Sequence, residues 1–507
     1  MPDCQIPDFY NIDSLLSDDE RQVRDTVARF VDDRVLPIIA ECFEKERFPM
    51  DGPAMKRFEK HQIQLSEING LDNGRLYRAA LAALIVLLTV NILYPDTSTD
   101  LAWKLGPARI SPLGSFFAIT APLIIIYAWS RRQLLSFSAL DVLLLVTMAY
   151  VASRGILATT TVNGIALTAG YAAYTLVLFY GAAVLAQKRT AFKTIIITLV
   201  CLGSIAITLG LVEFFLERNM LYSGIIKESV TPIVSKKYHR SGSTLGHPLA
   251  LGLFLTQVAP FFFIFYAKAA SSVKKIVWGA AIIGLALTLL VTFGKGPWGT
   301  ALFIGSAAAI WLLWKKPQAR KPVIMIIAAV ALSITLFSIA FYENTSAGTF
   351  SKVRKSESIK PRSYMWSRAP TVIWEHPLFG VGMWQAGPEV ASVDWVDYGK
   401  YQPTAIDNQF ISVVVEQGIL GTLMITATIF LLFRQALQLL KVGGIYSQWS
   451  MVLIISMGAL IINGLTMDSL WMWSGMVVFW LTAGMLRGLC EMKQKMIEPH
   501  DVFRTNQ

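Results

Sequence analysis

TIIITLVCLGSIAITLGLVEFFL, residues 194–216, decides the fold. Its only charged side chain is Glu213. As a helix this stretch is roughly 35 Å long at about 1.5 Å per residue, enough to cross a bilayer core of about 30 Å. The residues before it, QKRTAFK at 187–193, hold Lys188, Arg189 and Lys193 and no acid. An apolar run entered from a cationic loop is the local signature of a span whose preceding loop faces the cytoplasm. Working outward, the same alternation fills the chain from residue 76. Apolar runs fall at 76–94, 112–129, 138–154, 163–186, 194–216, 247–267, 276–293, 297–314, 322–342, 410–433, 450–466 and 470–486. The run at 297–314, opening on KGPWGT, is also compatible with a partly re-entrant segment. The pattern predicts an all-α fold: a polytopic membrane bundle of about twelve transmembrane helices, with a large outer loop carrying short helices.

Composition agrees. Of 507 residues 54% are hydrophobic and 16% charged, and the mean hydropathy is +0.51. Soluble domains carry about 25% charged residues, so this chain folded in water would expose far too much apolar surface. A net charge of +11 would point to nucleic acid in a soluble protein. Here the charge has a topological use, and no nucleic-acid partner is expected. Cys4, Cys42, Cys201 and Cys490 are far apart, which gives neither a disulfide framework nor a metal site. No metal or other cofactor is expected.

The connections 130–137, 187–193, 268–275, 315–321 and 434–449 hold only basic charges, among them Arg131, Arg132, Lys188, Lys268, Lys274, Lys315, Arg434 and Lys441. The alternate short connections are nearly uncharged. This positive-inside pattern predicts both termini in the cytoplasm and an even number of spans. Two outer connections, 217–246 and 343–409, are long and basic against that trend. They contain Lys227, Lys236, Lys237 and Arg240, then Lys352, Arg354, Lys355, Lys360, Arg362 and Arg368. Topology does not require cations there; an anionic partner explains the two loops together better than the alternative, a solvated loop face.

The densest cluster of informative residues lies at 362–421. Arg362 and Trp366 are four apart and share one helical face. Pro377 stops that helix. Gly380 and Gly382 permit a tight turn or a close backbone approach. Asp407 and Asn408 precede an apolar helix, placing a carboxylate at the outer mouth of a span, where the helix dipole stabilises it. The competing reading of Asp407 is a plain N-cap. Glu416, nine residues on, falls on the opposite side of a continuous helix and reads as structural. Glu213 is an intramembrane acid with Arg240 as a candidate partner. His247, beside Gly246 and Pro248, reads either as a substrate contact or as a helix entry. His239 adds positive charge, and His376 reads as a cap. Asp394 and Asp397 are weakly spaced for a divalent ion. Trp384, Trp395, Tyr398 and Tyr401 suit either sugar stacking or an interfacial belt.

These motifs carry a resemblance. Arg-x-x-x-Trp at 362–366, His-Pro-Leu-x-Gly-Val-Gly at 376–382, Asp-Asn at 407–408 and Glu-x-Gly-x-x-Gly at 416–421 together resemble the O-antigen ligase and polymerase superfamily. RSGSTLGHPLALGLFL at 240–255 and FGKGPWGTAL at 293–302 are similar to two further segments of it. The resemblance spans 76 to about 490. It departs in two places. Asp407 stands where ligases carry histidine, which looks more like the exopolysaccharide polymerase branch. Lys295 stands where the family has arginine, keeping the charge but losing the bidentate fork.

The resemblance implies a bacterial glycosyltransferase of the inner membrane. It polymerises undecaprenyl-diphosphate-linked oligosaccharide repeat units on the periplasmic face. Asp407, Arg362 and Arg240 would be catalytic, and Lys295, Asn408, Trp366 and His247 would bind substrate. The implied partners are the lipid-linked glycan, membrane lipid and a chain-length regulator. A ligase passing finished glycan to lipid A or to protein is the near alternative. A lipid-linked glycan transporter or flippase is the alternative of another class, but the polar residues gather at the outer mouth rather than at mid-membrane.

Residues 1–70 read as a separate, polar, helix-prone cytoplasmic segment without a signal peptide, and Ser17 reads as an N-cap. Residues 8–52 resemble an N-terminal fragment of an acyl-CoA dehydrogenase, with no part of that family's chemistry. The domain plan is thus 1–70, a membrane domain at 71–490 and a cytoplasmic tail at 491–507.

Overall fold

The computed structural model describes residues 74–94, 103–105, 108–110, 112–159, 162–222, 230–233, 236–315, 359–393 and 405–501. The chain divides into two compact units, Met1–Gly74 and Arg75–Gln507. The second is the helical bundle. Its helices, in chain order, are α1 (Gly74–Leu93), α2 (Pro112–Ser130), α3 (Ala139–Ala158), α4 (Val162–Leu185), α5 (Arg189–Leu216), α6 (Pro248–Ala267), α7 (Ser272–Val291) and α8 (Lys295–Lys315). These are followed by α9 (Ile359–Glu375), α10 (Ala386–Ser392), α11 (Gln409–Leu440), α12 (Gly444–Asn463) and α13 (Trp473–Asp501).

Ten of these helices are long and apolar enough to cross a membrane, so the chain is an all-α polytopic membrane bundle. Each of the ten coincides with an expected span. The expected span at 297–314 is the helix α8, which is not among the ten. The run at 322–342 and residues 1–73 lie outside the described residues. Two short antiparallel hairpins add to the helices. β1 (Trp103–Leu105) pairs with β2 (Ala108–Ile110), and β3 (Val230–Ile233) pairs with β4 (Lys236–His239). Hydropathy alone did not show them, because each is only a few residues inside a connection between apolar runs.

Helix α13 is the centre of the bundle, with 89% of its membrane window buried. It packs on α4 through small residues. A Cβ added at Gly484 would lie 2.2 Å from the Phe179 carbonyl oxygen, and one at Gly488 would lie 2.7 Å from that of Ala183. In lipid there is no hydrophobic drive between helices, so close backbone approach and dispersion hold the pair.

The end of the bundle that carries the basic short loops is locked by a buried ion network. Arg487 lies 3.1 Å from Asp141 and 3.0 Å from Glu491. The Ser136 hydroxyl and amide donate to Glu491 at 2.7 and 3.1 Å. At the same end Lys188 sits over Tyr77, Lys268 over Trp449 and Arg132 over Trp129, each within 5 Å. This is the expected pairing of interfacial cations with aromatic rings.

Candidate functional site

The opposite end is built from the starts of α6, α8 and α11, the turn between α12 and α13, and the amphipathic helix α9. Arg362 and Trp366 project from one face of α9, as their spacing required. Arg362 Nε donates to Asp407 Oδ2 at 2.9 Å, and Trp366 Nε1 donates to the Ile406 carbonyl at 2.9 Å. The Arg362 and Asp407 side chains are 29% and 35% exposed, so the ion pair opens to one side. Asp407 adopts the left-handed conformation, φ 55°, which turns its carboxylate away from the helix that follows.

Asp407 is therefore not the N-cap. Asn408 is: its side-chain oxygen accepts from the Phe410 and Ile411 amides at 3.1 and 3.2 Å. Its amide nitrogen donates to the Leu465 carbonyl at 3.3 Å. Both ends of Asn408 are thus engaged within the protein.

The second cation comes from the connection leading into α6. Arg240 Nε donates to the Thr292 carbonyl at 3.0 Å. Burial pulls the Arg240 guanidinium down from its usual range, and the positive charge of Arg362 adds to that. An arginine still keeps its proton, so two positive charges are held close together in a partly desolvated site. The Arg240 segment is fixed by Glu213. That buried acid meets His239 Nε2 at 2.8 Å and accepts from the Gly242 and Ser243 amides at 3.2 and 2.5 Å. Of the partners open to Glu213, Arg240 among them, the structure pairs it with His239. The adjacent histidine takes the acid, which leaves Arg240 for the site.

His247 caps α6, its Nδ1 accepting from the Leu249 amide at 3.3 Å. Burial pushes its pKa down, Arg240 pushes the same way, and Asp407 pulls it back. The surroundings of His247 thus favour its uncharged form. Lys295 opens α8 and is exposed. The next residue fixes that helix start: a Cβ on Gly296 would lie 2.0 Å from the Thr466 hydroxyl.

Sequence reasoning missed Asp468. It lies in the α12–α13 turn, and Ser412 Oγ donates to it at 2.5 Å. The backbone amides of Asp407 and Asn408 also donate to it. Burial pushes the Asp468 carboxyl up, those donors pull it down, and Asp407 adds a like charge. The signal was present: Asp468 is the only charge in GLTMDSLWM, residues 464–472, one of the otherwise nearly uncharged short connections.

A second missed feature braces the site. α11 is broken at Gly418, φ 61° and ψ −171°. The segment 376–382 threads into the break. Val381 N donates to Val415 O at 2.9 Å and Gly382 N to Glu416 O at 2.8 Å. In return Ile419 N donates to Pro377 O at 2.9 Å and Leu420 N to Leu378 O at 3.3 Å. Tyr150 from α3 takes the remaining carbonyl, Gln417 O, at 2.8 Å. Arg154 donates to Phe379 O and Gly380 O at 3.1 and 2.9 Å. The backbone groups freed by the break are thereby paired, as a membrane-embedded chain requires. Glu416 is buried beside this crossing.

Trp384 lies edge-on to Tyr171, 6.2 Å between ring centroids. It is partly buried and packs against the bundle core. His376 is exposed, and its carbonyl accepts from Gly380 N at 3.1 Å. Asp394, Asp397, Trp395, Tyr398 and Tyr401 lie outside the described residues, as do Lys227, Lys352, Arg354 and Lys355.

The family model described as O-antigen ligase matches residues 280–426. The match runs from α7 past the break in α11. It takes in Lys295, Arg362, Trp366, Asp407 and Asn408, while Arg240 and His247 precede it. Over these residues the chain is similar to the O-antigen ligases, so the superfamily expected from the motifs is the one found. No curated protein matches the chain. The expected likeness of residues 8–52 to an acyl-CoA dehydrogenase finds no support in these comparisons.

Proposed function

We propose that this chain is a glycosyltransferase that extends lipid-diphosphate-linked glycan at the outer face of the cytoplasmic membrane, with both of its termini in the cytoplasm. The observation that carries the reading is the Arg362–Asp407 pair, 2.9 Å apart at the mouth of α11, with Arg240 acting on it from the α6 side. Two fixed guanidinium groups in a partly desolvated site suit a diphosphate. The donor is a glycan on undecaprenyl diphosphate. A sugar hydroxyl of the acceptor attacks the anomeric carbon, the new C–O bond forms as the bond to the diphosphate oxygen breaks, and undecaprenyl diphosphate leaves. Negative charge grows on that leaving oxygen. Arg362 and Arg240 stabilise it where it develops, which is where preorganised charge lowers a barrier most. Lys295 at the α8 start contributes a further positive charge. Asp407 accepts the proton of the attacking hydroxyl. Trp366 fixes the 406–407 backbone, and neutral His247 offers a hydrogen bond without adding charge.

Polymerisation of repeat units is the reading favoured by Asp407, because the ligases have histidine at that place. Ligation of finished glycan to lipid A or to protein is the second reading, favoured by the family description itself. A null strain separates them. Loss of a polymerase leaves single repeat units, with a chain-length regulator left without a chain to set. Loss of a ligase leaves long lipid-linked chains.

The site is tested by Arg362→Ala and Asp407→Ala in membranes supplied with the lipid-linked unit. Each is expected to lower glycan transfer by about 10²–10³-fold, the usual cost of one transition-state contact, at unchanged protein level. Normal transfer by either variant rejects the assignment.

A further inference from the structure

The end of α9 and the turn after it expose three large apolar side chains, with the exposed Glu375 and His376 between them in sequence. Trp374 is 82% exposed, Leu378 58% and Phe379 50%. Single exposed apolar residues are ordinary, but a contiguous group marks a surface that something covers. The backbone bonds Ile419 N to Pro377 O and Leu420 N to Leu378 O set this group beside α11. There Ile419 and Leu423 are 52% and 61% exposed. α11 is long and apolar enough to cross a membrane, and the outward apolar face of a spanning helix lies against lipid. Leu378 and Phe379 thus lie alongside that face, and Trp374 ends the helix that leads to them. The group's chemistry is that of the interface: an indole, two apolar side chains, and the Arg154 guanidinium 5.7 Å over the Phe379 ring.

We propose that Trp374, Leu378 and Phe379 insert into the leaflet at the site end of the bundle, among phospholipid acyl chains, and form an interfacial anchor for α9. The anchor sets the depth of Arg362, about three turns of helix away, relative to the membrane surface. The inference rests on the membrane-spanning reading of the chain and does not depend on glycosyl transfer.

The test uses the full chain with Cys4, Cys42, Cys201 and Cys490 replaced by serine. Single nitroxide labels are placed through Trp374→Cys and Leu378→Cys in phosphatidylethanolamine–phosphatidylglycerol vesicles. Leu423→Cys is the lipid reference and Ser392→Cys the water reference. Collisions with oxygen should dominate over those with a water-soluble nickel chelate at 374 and 378, as at 423, with the reverse at 392. Nickel-dominated collisions at both sites overturn the proposal. So does shielding from both reagents, which places protein or a second copy over the patch. Loss of oxygen collisions at 378 on adding undecaprenyl phosphate assigns the patch to a polyprenyl chain and also overturns it. Unlabelled wild type and Trp374→Phe in vesicles brominated near the top of the acyl chains give an independent reading. The quenched tryptophan signal should fall in the variant, and an equal signal in both rejects the anchor.

Discussion

At the scale of single residues, the site shows how short-range spacing and long-range pairing divide the work. Arg362 and Trp366 were legible because a four-residue interval fixes a shared helical face. Asp407 was legible because an acid before an apolar run must sit at a span's mouth. Their mutual contact was not legible, since no local rule brings residue 362 to residue 407. The same limit left the partner of Glu213 open: the sequence offers both His239 and Arg240 at that point, and only the backbone of 239–243 decides between them. His247 gives a residue-level prediction on pH. Its pKa is held below the ordinary 6.5, first by burial and then by Arg240. The unfolded chain therefore binds this proton more readily than the folded one, so stability rises with pH across the interval. The stabilisation is complete above about pH 6.5 and drains away as the pH falls toward and through the lowered folded value. Thermal unfolding in detergent should show a drop between pH 7.5 and pH 5 that is smaller in His247→Gln. An equal drop in both proteins would remove His247 as its source.

At the scale of elements, the break in α11 is where the reading by periodicity stopped. Residues 410–433 read as one apolar span with Glu416 and Gln417 inside it, and the glycines at 418 and 421 read as tolerated within such a run. Nothing local announces that residues 376–382 enter at Gly418, although Gly380 and Gly382 did announce a close backbone approach. The geometry allows no side chain at the crossing. A Cβ on Gly418 would lie 2.4 Å from Leu378 O, and one on Gly380 would lie 2.4 Å from Glu416 O. Gly443 also has a positive φ, 78°, but open space around it. Gly443→Ala should therefore cost only the strain of its positive-φ, extended backbone, about 1–3 kcal/mol. Gly418→Ala adds a backbone collision and should unfold far earlier. The difference between their melting temperatures measures the crossing, and similar values would contradict it. Arg154→Met tests the same element from α3. It leaves the Phe379 and Gly380 carbonyls without their donors, at about 1–3 kcal/mol for each group left unpaired. The expected result is a lower melting temperature together with reduced glycan transfer, because Arg362 rides on the helix that this loop holds. Unchanged transfer in a destabilised Arg154→Met protein would separate the clasp from the site.

At the scale of the whole molecule, the net charge of +11 resolves into two ends. Basic residues in short connections lie where α2 meets α3, α4 meets α5, α6 meets α7 and α11 meets α12. Arg240, Lys295 and Arg362 lie at the other end with Asp407 and Asp468. The bundle architecture was readable because hydrophobic length and loop charge are both set by the bilayer, a solvent common to every membrane protein. The hairpins and the clasp were not readable, because they are set by contacts peculiar to this chain. The two ends make a joint prediction. If short cationic loops are retained in the cytoplasm, the arginine-bearing end must face outward, toward flipped lipid-linked glycan and away from nucleotide sugars. Alkaline phosphatase fused after residue 240 or 393 should be active, and after residue 188, 268 or 441 inactive. The opposite pattern would put Arg362 and Asp407 in the cytoplasm. A periplasmic polymerase or ligase would then be excluded, whatever the chemistry of its side chains.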